Sequence, residues 1–198
     1  MRTLSLFGIA AVLGACATPG ARPGDMSVAG HEAAAVRWTS APGGAGAESS
    51  LKDAEAHRAA AQTLRGREAL ACQGLAASDR YVSPFAHLRD IERATPLYAT
   101  VTGWKTGARA QLSGATVRFR AIPGLTGEWF QRIIDCHLAW NAAVGNVVPE
   151  MPDCRLVPKG ARTLVRSAGA GFEVDISSDE KGSPDEIWAR AQRLVSAR

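Results

Sequence analysis

The chain has 198 residues, with 23 Lys and Arg against 19 Asp and Glu, a formal net charge of +4. That length suits one domain of ordinary size plus appended segments. The small cationic excess is spread without Lys/Arg runs, which argues against a nucleic-acid partner and for a solvated surface.

The N-terminus reads as a secretory signal. Met1 and Arg2 make a short positive region, Leu4 to Leu13 is apolar apart from Ser5 and Gly8, and Leu13-Gly14-Ala15-Cys16 closes it. The apolar stretch is too short for a permanent span. The closing four residues resemble the lipobox of bacterial lipoproteins, which implies diacylglyceryl transfer to Cys16, cleavage before it, and anchoring by palmitate-type acyl chains. Two such chains suffice for stable anchoring, since each buried CH₂ contributes about 0.8 kcal/mol. Ala17 stands where lipoproteins kept in the inner membrane often carry Asp, so the resemblance favours the periplasmic face of the outer membrane. No second apolar segment of spanning length follows.

Residues 16–49 are expected to form the lipidated Cys16 and a flexible tether, rich in Gly, Pro and Ala. A short helical piece from His31 to Trp38 is expected inside it. Ser50 with Asp53 makes a capping-box pattern, and residues 50–76 read as an Ala-rich helix. Its few apolar positions predict loose packing, partly clear of the domain.

The globular part is placed at residues 83–198. Residues 90–97 read as a short strand and Gly103 to Gly114 as a polar connection. Ala115 to Ile122 alternates as a half-buried strand does, with Val117 and Phe119 on one face and Arg118 and Arg120 on the other. Thr126 is a helix N-cap, and Gly145 stops that helix. Two strands flank Ala168-Gly169-Ala170-Gly171 as a hairpin. Ser183-Pro184-Asp185-Glu186 opens a last helix. The order strand, strand, helix, strand, strand, helix predicts an α+β two-layer sandwich, an antiparallel or mixed sheet with two helices on one face.

With Cys16 acylated, Cys72, Cys136 and Cys154 remain, in a compartment where pairing is expected. Three is odd. Cys136 with Cys154 is the preferred bridge, stapling a helix end to the following loop, while pairing of Cys72 with either stays open. On the helix from Trp129 to Trp140, the arc of Trp129, Phe130, Ile133, Cys136, His137, Trp140 and Val144 should face the core, with Gln131, Asp135 and Ala139 opposite. His137 is then a satisfied core histidine or, as the sharper alternative, one ligand with Cys136, Cys154 and His87 of a copper or zinc ion. Met26 and His31 in the tether are a weaker pair of copper donors. No cofactor is expected on the leading reading.

Enzyme patterns fail on spacing. His31-Glu32 lacks the second histidine of a zincin helix. Ser49 to Lys52 and Lys105-Thr106-Gly107 match two penicillin-binding motifs, but no S-D-N lies between them. Packing accounts for Trp129, Trp140 and Trp188; Trp38 and Trp104 fall in expected loops and are the better contact residues.

Asp25-Met26-Ser27 with His31-Glu32-Ala33, then Ser83-Pro84-Phe85-Ala86-His87, then Asp135-Cys136-His137-Leu138-Ala139 and Met151-Pro152-Asp153-Cys154 together resemble a group of uncharacterised proteobacterial lipoproteins. The resemblance spans most of the mature chain and carries no activity with it. Similar proteins often read C-P-L where this one has Cys154-Arg155-Leu156. The leading expectation is a non-catalytic, membrane-anchored periplasmic module that binds an envelope protein or other envelope component. A copper- or zinc-binding lipoprotein is second, and an enzyme a distant third.

Overall fold

A computed structural model describes residues 26–40, 47–80, 83–85, 88–104, 107–146, 154–156 and 158–196. Cys16 and the signal lie outside these, as do His87 and Met151. The elements are α1 (Val28–Thr39), α2 (Ala47–Ala71), the short α3 (Ala77–Arg80), β1 (Ile91–Gly103), β2 (Gly107–Phe119), α4 (Gly127–Ala143), β3 (Arg162–Ala168), β4 (Gly171–Ser177) and α5 (Ser183–Ser196). The chain is α+β: one antiparallel sheet, in the order β1-β2-β4-β3, with helices.

Register explains which residues reach the core. Val117 pairs with Val174 and Ala115 with Ile176, and Val165 lies across Val174 on the other side. Because side chains alternate along a strand, these positions share one face. They form a single core with Phe130 and Ile134 of α4 and Ile187, Ala191 and Leu194 of α5. Phe119 sits at its centre, its ring 5.1 Å from Phe130 and edge-on to it, and 5.9 Å from Phe85. Gly114 allows the strands to close there, since a Cβ on it would lie 1.9 Å from the Ile176 carbonyl oxygen.

The opposite face is polar. Arg118 lies between Glu92 and Glu173, and Arg166 pairs with Asp175 at 2.7 Å. Asp175 also accepts from Thr116 Oγ1. These charges satisfy one another in the plane of the sheet.

The strand β3 would present a free edge, and α4 closes part of it. Gln131 Oε1 accepts from the Val165 amide at 2.7 Å, and its Nε2 donates to Asp135 and Thr163. Gln131 thus faces the sheet edge, where helical periodicity alone places it in solvent. An edge strand with one of its amides occupied in this way is a poorer template for another chain.

Three expectations are corrected. The helical piece expected from His31 to Trp38 is present but runs over residues 28–39 and, instead of lying in a free tether, packs on α2 through buried His31, Ala34 and Ala35. Ser27 starts it, its Oγ accepting from the Gly30 amide. Small alanines on both helices, including buried Ala54 and Ala61, allow a close approach that a composition-based tether reading overlooks. The Ala-rich helix is not clear of the domain either, since α2 packs on α4 as well. Finally, the strand expected at 90–97 and the connection at 103–114 are two strands of thirteen residues each, paired from Ile91 opposite Phe119 to Gly103 opposite Gly107.

Candidate functional site

The middle of α4 carries the chemistry. Thr126 caps it as expected, its hydroxyl accepting from the Trp129 amide. Cys136 and His137, adjacent in sequence, point about 100° apart around the helix and so enter different surroundings.

Cys136 meets Cys72, and the two form a disulfide. Leu75, Trp129 and Ile133 pack around it. This overturns the preferred Cys136–Cys154 bridge: Cys136 leaves α4 on the side of α2, away from the core that holds Cys154. Cys136 is therefore lost from the expected copper or zinc ligand set. His87 lies outside the described residues, and among those described no three His, Cys, Asp or Glu side chains converge to hold an ion.

His137 meets Cys154. The Cys154 thiol is buried and outside any disulfide, and its Sγ lies 3.6 Å from His137 Nε2. His137 is wholly buried and tilted against Trp140. Burial lowers its pKa from 6.5 to about 4. The ring is thus neutral near pH 7. A thiolate–imidazolium pair, the form that attacks substrates, would place two charges where water cannot reach them. One turn on, Asn141 donates to the Leu156 carbonyl from the same interior. His137 Nδ1 and Asn141 Oδ1 have no hydrogen-bond partner among the described residues.

Arg155 follows the thiol. Its guanidinium lies 5.6 Å from the Phe85 ring centroid and its Nε donates to the Arg190 carbonyl. Arg190 in turn donates to the Cys154 carbonyl. The two arginines pin this segment to α5.

Two surface features escaped sequence reading. The first is the far half of the β1–β2 hairpin. The strand β2 pairs with β4 only over Gly114–Phe119, so the hairpin beyond that point is an arm with no sheet beside it. Tyr98 and Val101 are exposed on it, and Trp104 at its tip is 100% exposed. Residues 97–113 include Lys105 and Arg109 and no carboxylate. The second is a pair of histidines between α1 and α2: His31 Nδ1 lies 2.9 Å from His57 Nδ1. The sequence singled out His31 but not His57.

The penicillin-binding motifs are coincidental, at least at the serine end. Ser49 and Lys52 lie within α2, where Lys52 pairs with Glu48 one turn away. No helix among the described residues is long and apolar enough to cross a membrane. Compared with known proteins, the chain matches no family model, no curated protein and no solved structure.

Proposed function

We propose that this chain is an envelope lipoprotein, held at the periplasmic face of the outer membrane through acylated Cys16, whose folded part is a non-catalytic binding module. The observation that carries the binding role is the arm. A hairpin exposed along most of its described length gains little from burial, and its fully exposed tryptophan raises the cost of leaving it unpartnered. Tryptophan is also the side chain that most often anchors interfaces. The basic, carboxylate-free arm suits an envelope protein with an acidic surface. The burial of Cys154 and His137 away from water supports the non-catalytic part of the reading.

A photo-reactive phenylalanine analogue placed at Trp104 in the full-length, membrane-anchored protein should give one discrete protein adduct in cells. The same probe at Leu70, which is also exposed but lies on α2, should give none. Adducts from both positions alike, or lipid adducts alone from position 104, would remove the arm as the binding element. The anchor is tested separately: Cys16→Ser should move the protein from the membrane to the soluble envelope fraction.

A further inference from the structure

We infer that the cavity between α2, the end of α4 and residues 156–161 binds a small organic acid, a compact hydrocarbon body carrying one carboxylate. Its volume is about 550 Å³, the size of pockets that hold single small molecules. Leu64 of α2, Leu138 of α4, Leu156 and Pro158 give it an apolar wall. Arg67 and Lys159 add two cationic side chains, and no carboxylate among the described residues shares the lining. Glu180 packs near Gly160 at one edge and stays outside it. Apolar surface beside positive charge selects a ligand that is apolar at one end and anionic at the other.

Arg67 decides the sign of the ligand's charge. On the same helix Lys52 pairs with Glu48 and Arg65 with Glu32, whereas Arg67 has no ion-pair partner among the described residues. A guanidinium meets a carboxylate through two parallel hydrogen bonds, and such charge-assisted bonds are roughly twice as strong as neutral ones. Beside an apolar wall the pair is screened less than in open water. Thr63 and Asn146, also in the lining, supply neutral hydrogen-bonding groups. An acid bound there touches α2, α4 and the segment before β3 at once, so its binding holds α2 to the sheet domain.

The test is calorimetric titration of the full chain, in micelles of an uncharged detergent, with phenylbutyrate, against a protein-free micelle blank. One equivalent should bind with a Kd on the order of 0.1–1 mM, as suits a ligand of about a dozen non-hydrogen atoms. Phenylbutanol, which keeps the body and lacks the charge, should bind about tenfold more weakly, and acetate, the head group without the body, more weakly still. Arg67→Gln, at an exposed position, should keep the fold by circular dichroism, weaken the acid about tenfold and leave the alcohol unchanged. Arg65→Gln, on the same helix but outside the cavity, should bind as the parent does. The acid should raise the melting temperature of the parent more than that of R67Q. Phosphatidylglycerol mixed into the micelles should not displace the acid. The site is overturned by the absence of saturable binding, by equal affinity for acid and alcohol, or by an R67Q protein that binds the acid as the parent does. Equal losses in R65Q and R67Q, or displacement by the anionic lipid, overturn it as well. None of these outcomes bears on the arm, which the position-104 adducts test on their own.

Discussion

Cys72→Ser should lower the stability of the folded chain by about 4 kcal/mol, the chain-entropy value for a loop closed across 64 residues. The bond ties the end of α2 to the middle of α4. Without it the helices α1 and α2 lose their disulfide tie to α4, and α2 itself has a largely polar surface with buried residues only at Ala54 and Ala61. Urea unfolding should therefore show a lower midpoint in C72S and C136S alike, and in the parent after reduction. Cys154→Ala removes one weak thiol contact and should cost only about 1–2 kcal/mol. Peptide mapping without reduction gives the independent check. A fragment joining residues 72 and 136 is expected, and one joining 136 and 154 would refute the pairing.

A pH profile should expose His137. Its folded pKa of about 4 lies below the unfolded value of 6.5. Between these values the unfolded chain takes up a proton that the folded chain refuses. Stability therefore falls as pH drops from 6.5 to about 4, and this contribution levels off below that, where both states are protonated. The loss amounts to about 3 kcal/mol. His137→Gln should be less steep than the parent across that window, whatever its stability at neutral pH. Carboxylates titrate in both proteins and cancel in the comparison. Parallel profiles would show that His137 is not the cause.

Both predictions turn on residues the sequence singled out, and they show where sequence reading stops. Fold class followed from local signals: alternation over Ala115 to Ile122, the Thr126 cap, and the glycines of the 168–171 turn all describe the chain near themselves. The burial of His137 followed in the same way, from its place on the α4 arc. Partner choice did not. Cys136 is equally available to Cys72 and Cys154 on any one-dimensional argument, and only the direction in which α4 presents it decides. His57 is hidden for the same reason: it is one histidine on a polar helix until α1 folds back against it. The arm was missed because strand patterns are recognised by one wet and one dry face, whereas residues 98–102 and 107–111 are exposed without alternation.

The order of the cysteines along the chain has a bearing on biosynthesis. In a polypeptide entering an oxidising compartment N-terminus first, Cys72 emerges well before Cys136, and Cys154 emerges last. The correct partner for Cys72 is thus the first thiol it meets, provided Cys16 is already capped by lipid. Cys154, the last of the three in the chain, lies buried beside His137 and outside the disulfide.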